Sequence, residues 1–434
     1  MVTRTKTVFK VKDLPNIKAK LFAWAANKSP VAWYDSNDYP HQKRTYDAVL
    51  AVDSYKNILT KKELNSTVGS DWLFGFFSYE FSTSWERVTP SNPAYTSIPE
   101  LQFFCPEKVW LLEGDVLTAH YLSEDDAKDD FDKILSETPL EYDEKASIDL
   151  TPRISKSEYI EKAKALQQHI LRGDIYEVNY CMEWFAKEVS VSPQQLFNNL
   201  NAVAKTPFAA YLHIENTHLM CASPERFLKR EGNSLISQPI KGTAARHEDA
   251  VLDNAAAQHL KTDAKERAEN IMITDLVRND LSRIALKGSV AVPEKCAVYP
   301  FSQVHQMIST VTATCDSTAN SLNIIEACFP MGSMTGAPKQ RAMELIDHYE
   351  VCQRGLYSGA VGYFAPNGDF DFNVVIRSII YDAEKKYLST HVGSALTAAA
   401  DVEKEYDECQ LKAAAIKRVL SNKHILPIEN GTTI

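Results

Sequence analysis

No run of apolar residues approaches the roughly 20 needed to cross a bilayer, so no membrane span is expected. The opening decapeptide, Met1 to Lys10, has no apolar core of a secretory signal, and the protein is expected in the cytoplasm. Cysteine is sparse and solitary: eight residues (105, 181, 221, 296, 315, 328, 352 and 409) with no Cys-x-x-Cys pair among them. That pattern signals neither a zinc site nor a redox motif and predicts reduced, half-buried fillers. None of the eight sits in a Gly-x-Cys-x-Gly-like turn, so the chain has no glutamine-hydrolysing nucleophile. Nitrogen drawn from glutamine must then arrive through a partner. Positive charge is also short: the net charge of -10 over 434 residues argues against a nucleic-acid partner, which demands a basic stripe. Neither an internal repeat nor a low-complexity tract is present.

What is there divides unevenly. Residues 1–135 read as a sheet-bearing support, mostly short apolar strands and turns: Val31–Tyr34, Ala48–Val52, Trp72–Tyr79 and Lys108–Leu112. Residues 136–156 are polar and charged without apolar periodicity, and form a connecting segment. From 157 to 434 helices alternate with strands. Ser157–Leu171 carries apolar residues at 160, 163, 166 and 170 before Gly173, and further helices are expected over 263–281 and 401–420. Strands are expected at 208–213, 358–364, 373–380 and 386–390. Paired strands followed by helices predict an α+β layered sandwich instead of a doubly wound parallel sheet.

Lys241 lies in Pro239-Ile-Lys-Gly-Thr243, directly after a strand-like run; taken alone it is also compatible with a surface lysine beside a turn glycine. Glu269 falls mid-helix, and Glu405 and Glu408, three apart, share one helical face. A first-turn acidic pair is favoured by the helix dipole in any case, but one glutamate from each helix also suits Mg2+, which takes one or two carboxylates and completes its octahedron with water and substrate oxygens. Phe329 to Lys339 leads into a helix over 340–349, and such a start, with Ser333 beside it, can hold a carboxylate. It lacks the ending of a nucleotide P-loop. Arg377 interrupts an apolar strand and calls for a carboxylate partner, from the protein or from a ligand. Tyr357 and Glu225 add a phenol and a further carboxylate at strand or turn edges.

Together, Gly173-Asp-Ile-Tyr-Glu-Val-Asn179, Ser223-Pro-Glu225, Pro239 to Thr243, Ala268-Glu-Asn-Ile-Met272, Asp275 to Leu281, Thr335-Gly-Ala-Pro-Lys339, Ile376-Arg377 and Glu405-Tyr-Asp-Glu408 resemble the chorismate-utilising enzymes over nearly all of 157–420. Tyr34-Asp-Ser36 and Gly75 to Tyr79 match more loosely. The resemblance implies the anthranilate synthase component I type of fold, antiparallel sheets with helices outside. A lysine at the centre of Pro-Ile-x-Gly-Thr implies the branch that aminates chorismate at C4, to 4-amino-4-deoxychorismate on the route to 4-aminobenzoate and folate. On this reading Lys241, its pKa lowered by burial, attacks C2 and expels the C4 hydroxyl; ammonia then enters at C4 and displaces the lysine. Glu225 is the implied general acid, and Glu269 and Glu408, with Glu405, the Mg2+ carboxylates. Tyr357 and Arg377 are implied to grip the enolpyruvyl carboxylate, Ser333 the substrate near the metal end, with Thr243 and Ala395 lining the site. Ammonia is implied to come from a glutaminase subunit.

Three positions depart from the family pattern. Gln306 stands where much of the family has histidine, and His305, one place earlier, faces the other way in a strand, so it is given no catalytic role. Glu177 replaces the glutamine usual in amidotransferring members. Ala395 replaces the second glycine of a Gly-x-Gly turn, which is harmless only if its φ is negative. Two alternatives stay in view: the large subunit of anthranilate synthase, which Lys241 counts against, and a non-catalytic chorismate- or glutaminase-binding scaffold, which Gln306 and Ala395 motivate.

Overall fold

The computed structural model describes residues 2–39, 43, 45–81, 85–86, 88–122, 127–141, 147–302 and 304–420. Among these, twenty strands join into one antiparallel sheet. Its middle is the strand Leu101–Glu113. One side of that strand pairs with Ala48–Ile58, and the other with Leu73–Phe77 and Val116–Tyr121. Two arms leave from there. The first runs from Ala48–Ile58 through Val31–Asp35, Phe208–Ile214, Thr217–Ser223, Ser378–Asp382 and Tyr387–Leu396 to Glu177–Ala186. The second runs from Leu73–Phe77 through Ala360–Phe364, Phe370–Val374, Arg226–Glu231, Ser234–Gln238 and Val304–Thr314 to Ile240–Ala245 and Ala291–Pro300. Glu177 and Lys241 thus sit towards the far ends of opposite arms, where the two-residue strands Thr151–Pro152 and Gly336–Ala337 flank Glu177–Ala186 in turn.

Local chemistry explains the helices that cover the sheet. Lys156–Leu171 opens on a capping box, Ser155 with Glu158, in which each side chain bonds the other's backbone N–H. Ala264–Ser282 is capped by the carboxylate of Asp263, which accepts from the Glu266 amide. The final helix, Val402–Leu420, packs Cys409, Ala413 and Ile416 inward. The largest apolar cluster interleaves Phe74, Phe76, Phe77, Phe103, Phe329, Phe364 and Phe372. Leu73–Phe77 is buried at every position, as a strand covered on both faces must be.

Residues 1–135 do not stand apart from the rest. Val31–Asp35 pairs with Phe208–Ile214, and Leu73–Phe77 with Ala360–Phe364, so the strands of the first 135 residues lie inside the same sheet as those of 157–420. Nor are they only strands: Leu14–Trp24, Lys61–Thr67 and Ala127–Ser136 are helices. Part of the connecting segment, 142–146, lies outside the described residues. The single strand expected over 373–380 is two, Phe370–Val374 and Ser378–Asp382, with Arg377 between them at a φ of 51°. All eight cysteines are free and fully buried, not half-buried.

Candidate active site

The lysine strand, Ile240–Ala245, departs from regular pairing between Ile240 and Thr243. Gly242 makes that irregularity possible. Its φ is +97°, and a Cβ there would press on Met307 at 3.2 Å and Glu266 at 3.1 Å. Asn270, buried on the helix Ala264–Ser282, donates through Nδ2 to the carbonyls of Lys241 (3.2 Å) and Met307 (3.1 Å). One amide therefore ties the bulged segment to its neighbouring strand.

Released from the regular ladder, the Lys241 side chain reaches Glu177 on the other arm, Nζ to Oε1 at 2.9 Å, with exposures of 14% and 2%. The second oxygen of Glu177 is buried and without a partner. Burial drives the ammonium of Lys241 downwards, but Glu177, Glu269 and Glu408 together overcome it and hold the pKa above the ordinary lysine value. The expected lowering by burial is thus overturned: three carboxylates, gathered from three elements, outweigh desolvation.

Glu225 follows Ser223 in a tight turn, the Glu225 amide donating to Ser223 Oγ at 3.2 Å. Its Oε1 accepts from Ser333 Oγ at 2.8 Å. Burial pushes this carboxyl up to about 7 against the opposing pull of Ser333 and Lys241. Glu225 is therefore an acid that still carries its proton near neutrality, as a general acid requires.

Glu269 on one helix and Glu405 and Glu408 on the last form an acidic group. Lys265 Nζ lies between the first two, at 3.7 and 3.8 Å. Burial raises Glu269 above the usual carboxylate range, and burial together with Glu408 pushes Glu405 up to about 7. Glu408, 48% exposed, is bonded to Lys412 at 2.6 Å, and is lowered despite desolvation. A short supply of cation among like charges is the setting a hard dication relieves. Among the described residues the one trio of ligand atoms within 4.8 Å of one another is elsewhere, at Glu183, Cys352 and His391. Arg153 and Tyr387 already bond that glutamate, and burial keeps the thiol protonated, so a dication there would leave buried net positive charge.

Tyr357 is buried and stacks on His391 with centroids 5.1 Å apart and planes at 17°. Arg377 is half-buried. Among the described residues its guanidinium has no hydrogen bond or ion pair, and only Tyr357 and Glu408 act on it electrostatically, while burial lowers its pKa. A cation in this position is short of an anion. Thr243 is exposed and pairs in register with Gln306.

The departures resolve individually. His305 turns to the helix Ala250–Thr262, its Nε2 2.9 Å from Asp253, whereas the buried Oε1 of Gln306 has no partner. Ala395 pairs with Asn179 in regular strand and is absent from the positive-φ positions, so the missing glycine costs nothing. The close approach falls instead at Gly393, where a Cβ would lie 2.5 Å from Cys181 Sγ. The helix start beyond Ser333 is engaged by the protein: Lys339 is buried against Asp280 at 2.7 Å, and Gly336 and Ala337 pair with Val178 and Glu177. Sequence alone does not single out Asn270 and Lys265, neighbours of Glu269, because the helix that carries them is charged and polar along most of its length.

A family profile described as chorismate binding enzyme matches residues 19–418. The aminodeoxychorismate synthase component 1 of Salmonella typhimurium is 32% identical over 80% of this chain and 76% of its own. The protein of the same name from Escherichia coli is 32% identical over 85% of this chain and 82% of its own. A probable aminodeoxychorismate synthase of rice is 39% identical over 61% of this chain, which spans 30% of that longer protein. Among solved structures, anthranilate synthase component I from Streptococcus pneumoniae superposes with a TM-score of 0.73 at 21% identity, covering 96% of this chain and 93% of that one. The menaquinone-specific isochorismate synthase of Escherichia coli gives 0.73 at 16% identity, covering 96% and 95%. The expected α+β fold with a large antiparallel sheet is therefore the fold observed.

Proposed function

The chain belongs to the chorismate binding enzyme family, and from that membership we propose that it converts chorismate and ammonia to 4-amino-4-deoxychorismate. The observation that carries this reading is Lys241 itself: a half-buried amine held by Glu177, near a carboxyl, Glu225, that feels its charge and is held near 7. A nucleophile and a proton donor facing one substrate suit displacement of a hydroxyl, which leaves poorly unless protonated. Arg377, without an ion pair or hydrogen bond among the described residues, is matched to a substrate carboxylate, and Tyr357 beside it supplies a phenol.

Glu269 and Glu408, with Glu405 adjacent, are the residues that would hold Mg2+; when bound, the ion supplies charge stabilisation at the ring carboxylate. Lys265 restrains two of these carboxylates, and Asn270, on the same helix, fixes the lysine strand. Ser333 orients Glu225. Thr243 lines the exposed side of the lysine strand, and Ala395 backs the site from the other arm. Ammonia is proposed to come from a separate glutaminase subunit, in keeping with the component 1 names of the bacterial relatives. Eight unpaired buried cysteines suit a reducing compartment such as the cytoplasm.

The test is product analysis. Chorismate, Mg2+ and ammonium should give a product that an aminodeoxychorismate lyase converts to 4-aminobenzoate. Mass spectrometry should find a chorismate-derived adduct on Lys241, and Lys241→Ala should lose at least about 100-fold in rate. Fluorescent anthranilate formed without the lyase would refute the reading, and so would tight chorismate binding without turnover. Equal turnover by the alanine variant would discard the covalent route.

A further inference from the structure

We propose that Glu177 is the general base that takes the proton from Lys241 as its amine attacks. This deepens, and rests on, the proposed amination. The geometry comes first: Glu177 is the one group within hydrogen-bond reach of Lys241 Nζ among the described residues, at 2.9 Å. The other oxygen of the same carboxylate is buried and unpartnered, so it has room to receive a proton.

The backbone of Glu177 is clamped for the task. It pairs with Ala337, the Tyr176 amide donates to the Ala337 carbonyl at 2.7 Å, and a Cβ on Gly336 would stand 2.1 Å from the Glu177 carbonyl oxygen. No nearby carboxylate is as free. Glu225 is occupied by Ser333 and must deliver its own proton to the leaving hydroxyl. Glu269 and Glu408 act on Lys241 only through space, and serve the acidic group with Lys265 and Lys412. Glu266 lies beside the same strand, at Gly242, and of the charges that hold the Lys241 ammonium Glu177 contributes most.

The step balances. The ammonium of Lys241 gives one proton to Glu177, and the neutral amine attacks C2. Two ring double bonds shift, the C4–O bond breaks, and the Glu225 proton leaves with the hydroxyl as water. The adduct nitrogen keeps two hydrogens and a positive charge. When ammonia attacks C4, the double bonds return and the C2–N bond breaks, so Lys241 departs as a neutral amine and recovers its proton from Glu177. Glu225 regains its own from the new C4 ammonium. The sum is chorismate plus ammonia giving the amino product plus water.

Two measurements on Glu177→Gln, with Glu177→Asp as the conservative control and thermal melting to establish folding, test the assignment. In the first, pH-dependent labelling of Lys241 by a small amine reagent is read by peptide mass spectrometry without any turnover. Loss of the carboxylate should move the labelling midpoint to lower pH by about one unit or more; an unmoved midpoint overturns the pairing. The second is the pH dependence of amination. The glutamine variant should lose roughly 100-fold at pH 7 and recover as pH rises and solvent takes the lysine proton, while the aspartate variant keeps the natural profile. A glutamine variant whose profile parallels the natural one overturns the general-base role. A natural enzyme that fails to aminate while the midpoint still shifts sinks the proposed reaction and leaves the Lys241–Glu177 proton pair standing.

Discussion

A carboxyl with its ionisation near 7 is exposed to two opposite demands at the residue scale. In the proposed reaction Glu225 must keep its proton to expel a hydroxyl, yet burial alone supplies that proton's hold, since Ser333 and Lys241 both favour the charged form. Rates should therefore fall as pH rises through about 7, and a kcat/KM profile over pH 5.5–8.5 checks this. The sign for stability follows from the same shift. The folded carboxyl binds its proton more tightly than the unfolded one, so stability is greatest below the unfolded value and declines as pH climbs to about 7. Glu225→Gln should lose at least about 100-fold in activity while melting a few degrees higher than the natural protein at pH 8, read by differential scanning calorimetry. Residue identity was legible in sequence; ionisation was not. Burial alone lowers a lysine, and the carboxylates that reverse this at Lys241 come from strand 177–186 and from two helices whose meeting no local pattern announces.

At the scale of elements, the lysine strand works because one glycine breaks its regularity. Gly242→Ala puts a side chain at a φ of +97° against Met307 and Glu266, at a cost of about 1–2 kcal/mol. The expected outcome is a drop in melting temperature of a few degrees and a much larger fractional loss of amination, because the displaced segment carries Lys241. Equal, small losses in both would mean that the bulge is incidental. The long helices were legible from period and caps. Several others were missed, two of them although their signals were present: Asp13 with Pro15 at the start of Leu14–Trp24, and Thr60 followed three residues later by Glu63 at Lys61–Thr67. The break at Arg377 was hidden for a different reason: a positive φ at a non-glycine residue leaves no mark in an apolar run.

For the whole molecule, the division at 136–156 that composition suggests has no counterpart in the hydrogen bonding. Strands from the first 135 residues form the middle of the sheet, and Phe74, Phe76 and Phe77 share one core with Phe329, Phe364 and Phe372. Calorimetry should therefore show one cooperative transition for the chain, and residues 150–434 expressed alone should not acquire a folded core; two resolved transitions would restore the separate support domain. Sequence could not reveal this, since pairing between Leu73–Phe77 and Ala360–Phe364 joins segments about two thirds of the chain apart.

The strands bearing Lys241 and Glu177 lie at the far ends of the two arms, and they touch through side chains, not through a ladder. Most strands of the sheet lie between the two groups along its hydrogen bonds, so small changes of twist accumulate where the arms meet. Substitutions that tune this enzyme in a laboratory selection will accordingly map to strands such as Leu101–Glu113, far from any atom of substrate, as often as to the residues that line the site.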